Sequence, residues 1–271
     1  MRKFKLINAN GQEFDLMRLD AFFHQPAGFG FGSQAEVQRS GNTLLHIKSE
    51  EDRPEPSGTI SFRGYRQYAE FQQFADAGGI VLCYMPLNTW RYLDVEMVIE
   101  KEEIDYKTGR LDCPVQFSGL SFWYEKITAY RSETQEDGGK IYNYTYPYTY
   151  MDNRPGIIDV ANGSKPSYCR IHIFGPCTNP VFTVNQGGKR IADGRVICEI
   201  QAGNKLVLDS DPQTMEIAEY TANGTFVADR YGDSDFTTDR LVQLPAGNCR
   251  FSFTNDTSDS VTAFVEVEKR V

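Results

Sequence analysis

Three histidines, His24, His46 and His172, are the only imidazoles among 271 residues, and none stands at a spacing that does chemistry. A zinc-hydrolase helix needs two of them four residues apart with a glutamate between. His172 instead alternates with Ile171 and Ile173, as a strand residue does. No GxSxG turn presents a serine nucleophile, and Gly187-Gly188-Lys189 is followed by Arg190 where a phosphate loop needs Ser or Thr. Gly28-Phe29-Gly30-Phe31-Gly32 is rich in glycine but lacks a strand before it and a helix after it, so it reads as a flexible loop. Asp94, Glu96 and Glu100 share one strand face. A glycosidase needs two carboxylates flanking the scissile bond, and a solvated hairpin face accounts for these three more simply. Asp229, Asp233 and Asp235 could surround calcium, but the glycine and glutamate of the twelve-residue calcium loop are missing. The six cysteines lack CxxC or Cys/His spacing. Cys83, Cys113 and Cys198 fall within strand patterns as small apolar residues, and the set reads as reduced structural thiols. The expectation is no enzyme, no catalytic residue, no cofactor and no metal.

One row of side chains remains that could bind a ligand. Tyr142, Tyr144, Tyr146, Tyr148 and Tyr150 stand at every second position, so an extended chain presents all five on one side. Such a row could stack on sugar rings or pack against protein, since tyrosine joins apolar area to a polar tip. Pro147 interrupts any ladder there and points to an edge or a linker strand.

The elements that would position these residues are mostly strands. Phe4–Leu6 and Glu13–Leu16 flank Asn10-Gly11, and Ala35–Gln38 and Leu44–Lys48 flank Gly41-Asn42. One helix is expected, with Tyr65, Tyr68, Phe71, Phe74 and Ala75 as its apolar stripe and Gly78-Gly79 as its stop. It would plug a barrel or lie across a sheet. A buried strand at 80–84 precedes the clearest pattern in the chain. Leu93, Val95, Met97 and Ile99 alternate with Tyr92, Asp94, Glu96, Val98 and Glu100, and the return strand buries Leu111, Cys113, Val115 and Phe117. Pro114 cannot donate to a ladder, which predicts an edge or a bulge and leaves an edge open to a neighbouring chain. "RSETQEDGGK" (131–140) has no apolar period and reads as a linker between two domains, 1–134 and 135–271. Beyond it short strands alternate with turns, no helix appears, and the last strand buries Val261, Ala263, Val265 and Val267. That pattern fits a β-sandwich.

Composition narrows the partners. Net charge is −9, from 28 basic and 37 acidic residues, and basic residues cluster no further than pairs. A nucleic-acid backbone would be repelled. No apolar run reaches transmembrane length and no signal-peptide core follows Met1-Arg2-Lys3, so no membrane partner is expected. Aromatics make up 13% of the chain, a share suited to strands and interfaces.

The order strand, aromatic helix, "VLCYMP", long hairpin, "FSGLSFWYE" resembles the N-terminal domain of phage distal tail proteins, the hub or baseplate components of long non-contractile tails. "YNYTYPYTY" (142–150), "IHIFGPCTNPVFTV" (171–184), "GNKLVLDSD" (203–211) and "LPAGNCRFSF" (244–253) resemble that family's second domain. The resemblance implies a mainly β protein: a split β-barrel with one α-helix (1–134), six copies of which close into a ring, then a galectin-like β-sandwich (135–271). It implies a structural virion protein at the tail tip, made in the bacterial host cytoplasm. Its partners would be its own copies, the tail tube, tail-tip or baseplate proteins and, in some members, a receptor-binding protein or host glycan. A closed ring needs two different patches per subunit. The hairpin face carrying Tyr92, Asp94, Glu96 and Val98 is the candidate for one of them. The rival reading is a carbohydrate-binding module that uses the Tyr142–Tyr150 row.

Overall fold

The computed structural model describes residues 2–100, 107–130, 156–257 and 261–271. The chain forms two units, Met1–Glu125 and Lys126–Val271.

In the first unit, β1 (Lys3–Ile7), β2 (Glu13–Asp15), β3 (Met17–Arg18), β4 (Ala21–Ala27), β5 (Ser33–Ser40), β6 (Thr43–Glu51) and β7 (Ser57–Phe62) precede α1 (Tyr65–Ala75). After the helix come β8 (Val81–Met85), β9 (Arg91–Ile99) and β10 (Leu111–Gly119). Every pairing is antiparallel, and β5 with β6 aside the strands follow one path, β2-β1-β8-β9-β10-β7-β4-β3. Along β9, Arg91–Asp94 pair with β8, Val95–Ile99 with β10, and Tyr92 also with Tyr124. The two ends of the path nearly meet, because only Leu16 separates β2 from β3. Its N–H donates to Phe4 O (3.1 Å) and its carbonyl accepts from Phe23 N–H (2.8 Å). The Leu16 side chain is wholly buried there.

Alternation built the core as the sequence predicts. Leu93, Val95, Leu111, Cys113, Val115 and Phe117 all point inward. α1 lays Tyr68, Phe71 and Phe74 onto this interior, with Phe71 packed 5.2 Å from Phe14 and 5.3 Å from Phe62, ring centre to ring centre. Tyr65, the first residue of the helix and of the expected stripe, is half exposed. Gly78 and Gly79 both take the left-handed conformation that stops the helix.

Two expectations need correction. β10 is not an edge strand, since it lies between β9 and β7. Pro114 is tolerated because its carbonyl accepts from Glu100 N–H (2.9 Å), so its missing N–H faces that same side, beyond the last β9 pair, Val115 with Ile99. The Gly28–Gly32 segment is not a free loop either. Phe29 packs among Phe4 (5.3 Å), Tyr84 (5.0 Å), Phe23 (6.3 Å) and Trp123 (5.9 Å).

β11 (Tyr124–Tyr130) carries the chain from the first unit into the second. The second unit has two antiparallel sheets. One is formed by β13 (Ser167–Phe174), β18 (Asn204–Asp209), β19 (Glu216–Thr221), β20 (Phe226–Asp229) and β23 (Thr262–Arg270), in the order β20-β19-β18-β13-β23. The other is β12 (Gly156–Ala161), β22 (Asn248–Thr254), β15 (Val181–Gln186) and β16 (Lys189–Arg195), paired in that order. Short strands β14 (Cys177–Thr178), β17 (Glu199–Ile200) and β21 (Gln243–Leu244) finish the ends. Ile158, Phe182, Phe251 and Phe253 from one sheet meet Ile171, Leu206, Leu208, Ile217 and Val265 from the other in a single core. This is a β-sandwich. Among the described residues its only helical piece is the turn Tyr231–Asp233.

Candidate assembly surface

β5 and β6 form a hairpin unlike the rest of the first unit. All its residues from Ser33 to Glu50 are exposed, on both faces, and among the described residues each strand pairs only with the other. Register fixes the two faces. Glu36 stands opposite Lys48 and Gln38 opposite Leu45 on one, while Val37 faces His46 and Arg39 faces Leu44 on the other, with a bulge at Ile47. Val37, Leu44, Leu45 and Ile47 are 50–66% exposed. Among the described residues no further strand pairs along either outer edge, and such edges are templates for another chain.

The base of this arm is firmly held. Phe29 anchors the outgoing strand in the aromatic cluster described above. The returning segment lies along β10, where Phe117 N–H donates to Pro56 O (2.8 Å), Gly119 N–H to Pro54 O (2.9 Å) and Arg53 Nε to Gly119 O (2.6 Å). At Gly28 the two segments approach so closely that a Cβ would collide with the Glu55 carbonyl, and its φ of 75° independently demands glycine. A rigid root therefore carries an uncovered arm. The strands were legible in the sequence. Their exposure was not, although Leu44-Leu45 puts apolar residues on both faces, a signal that neither face enters a core.

Tyr92, Asp94, Glu96 and Val98 point away from the core along β9, but their exposure is graded. Tyr92 stacks on Tyr124 (5.7 Å) and Asp94 accepts from Tyr124 Oη (3.3 Å), so both are half-buried. Glu96 and Val98 are exposed. Val98 borders an open groove of about 520 Å3 with Glu55, Thr59, Glu100 and Gln116. The tyrosine row Tyr142, Tyr144, Tyr146, Tyr148 and Tyr150 lies outside the described residues.

Polar clusters in the first unit do not assemble reactive chemistry. His24 Nε2, Ser61 Oγ and Asp112 line up across β4, β7 and β10, with 2.7 Å between His24 and Ser61. Their order is wrong for a nucleophile, however. Ser61 sits in the middle and gives its proton to Asp112, so His24 must donate to it and cannot act as its base. Buried thiols are equally unreactive: burial pushes Cys169 up to about 12 and Cys198 up to about 11. All six cysteines are free, and among the described residues no three metal-ligating side chains gather. No described helix is long and apolar enough to cross a membrane.

Residues 3–120 match the family model described as distal tail protein, N-terminal domain. The whole chain superposes on a chain from the phage P2 baseplate in its activated conformation with calcium, with a TM-score of 0.75 at 14% identity, covering 100% of this chain and 99% of that one. It also superposes on the Dit protein (gp 19.1) of phage SPP1, described as a paradigm of the hub adsorption apparatus in phages infecting Gram-positive bacteria. There the TM-score is 0.62 at 11% identity, with 99% of each chain covered. At those identities the superpositions establish a shared fold over both units. No curated protein sequence matches.

Proposed function

We propose that this chain, whose residues 3–120 match the distal tail protein N-terminal domain model, is a structural hub subunit of a phage tail tip. In this reading about six copies close into a ring through unlike patches. The ring joins the tail tube to tail-tip or baseplate proteins and resides in the virion.

The exposed β5–β6 arm is the observation that carries this reading. A lone two-stranded hairpin is marginal in water, and this one buries neither face. Its apolar residues and open edges gain stability only when another chain covers them. A ring supplies such a chain at every position. The complementary patch is the outward face of β9 and β10, with Tyr92, Asp94, Glu96 and Val98. Half-buried Tyr92 and Asp94 make its fixed floor, and exposed Glu96 and Val98 its contact points.

Negative-stain imaging of the full chain at its highest soluble concentration tests the assembly. Ring-shaped particles are expected, and Leu44→Asp with Leu45→Asp should abolish them without unfolding either unit. Monomers in every field, or rings indifferent to the arm substitutions, would defeat the proposal.

A further inference from the structure

The outward face of the larger sheet in the second unit carries a cavity of about 280 Å3 with charged and apolar groups in its lining, unrelated to the arm. Its lining comes entirely from the second unit: Lys126 and Thr128 of β11, Tyr168 and Arg170 of β13, Glu266 of β23 and, beside β18, Asp211. Strand register makes this grouping. Arg170 stands opposite Asp209 on one side and Glu266 on the other, which lines up three charged residues across three strands.

Two of these groups are held in place by buried partners. Asp209 is 2% exposed and fully engaged. It accepts from Arg170 Nε (3.0 Å) and Nη2, from Thr214 Oγ1 (2.6 Å) and from Asp211 N–H (3.0 Å). That arrangement fixes the guanidinium plane and leaves Nη1 outside the Asp209 contact. Two residues along β13 from Arg170, His172 is 5% exposed, stacks on Phe264 of β23 at 4.1 Å and donates from Nε2 to Glu266 Oε2 on that strand (3.0 Å). Oε1 of Glu266 is outside that contact. A donor and an acceptor therefore stand on adjacent strands, each with its orientation set from behind. This is how a binding site, more than a surface ion pair, is built.

The charges select the ligand by exclusion. Lys126 and Arg170 disfavour a cation, and Asp211, Glu266 and Glu268 disfavour an anion. A wholly apolar group would cover the Arg170 and Glu266 charges without replacing their contact with water. What satisfies fixed donors and fixed acceptors together is a neutral ligand whose hydroxyls both give and accept hydrogen bonds. We propose that this cavity binds one neutral sugar residue, with Arg170 donating and Glu266 accepting at adjacent hydroxyls. The site uses none of the tyrosines at 142–150 and is independent of ring formation.

Calorimetric titration of the full chain with glucose, galactose, N-acetylglucosamine and N-acetylgalactosamine tests it. At least one sugar should bind, and Arg170→Gln and Glu266→Gln should each weaken that binding about tenfold or more, as expected for loss of a charge-assisted hydrogen bond. Lys189→Ala, on the opposite sheet, should leave it unchanged. Both cavity variants should keep the wild-type circular dichroism spectrum, and Thr128→Ala gives a milder second probe should either unfold. Absence of heat for all four sugars overturns the proposal. So does binding that survives both cavity substitutions.

Discussion

Burial and partner choice at single residues decide what holds this protein together. Phe71 sits where helix, β2 and β7 meet, with no exposed surface. Phe71→Ala should cost the first unit about 3–5 kcal/mol, the range for emptying a buried aromatic site, measured by urea unfolding. Tyr65→Ala on the same helix should cost far less, since half its surface is already wet. The Glu266 carboxyl is held below its ordinary 4.5, chiefly by the His172 hydrogen bond and against the opposing effect of burial. The folded state then binds fewer protons than the unfolded state in that range. The contribution is complete above about pH 4.5 and fades as pH falls through the lower folded value. Glu266→Gln should flatten that part of the second unit's acid unfolding curve, as read by denaturant melts at successive pH values. Thiol titration is a third check at this scale. Cys169 should resist Ellman's reagent at neutral pH in the native protein, and all six thiols should react after unfolding.

Legibility from sequence followed how local each element's cause is. The β9–β10 alternation and the α1 stripe are periodic within one segment, so Leu93, Val95, Phe71 and Phe74 could be placed inside before any fold was known. Pro114 misled because its tolerance depends on where a neighbouring ladder stops, not on its own strand. Phe29 misled for a similar reason: the glycines around it signal freedom, while four aromatic rings distant in sequence hold it. The Asp209–Arg170–Glu266 row was invisible, because it exists only through the register of β18, β13 and β23. The arm is the case that matters most. Its strands could be read, but exposure on both faces is a property of what it fails to touch. Replacing residues 33–51 with a short Gly-Ser turn should leave the first unit's melting transition nearly unchanged, since the arm adds nothing to that unit's buried core. The same replacement should abolish self-association.

At the scale of the whole molecule, both cores are complete within one chain, while the arm is not. The proposed hub role would account for that division: each unit carries its own buried core, and in that reading the uncovered hairpin would take its partner from the next copy around a ring. The most direct test is the molar mass of the full chain by light scattering across a concentration series. A species of about six times 30.8 kDa that reverts to 30.8 kDa when residues 33–51 are replaced is the predicted result. A mass of 30.8 kDa at every concentration, or an oligomer that persists without the arm, would contradict it.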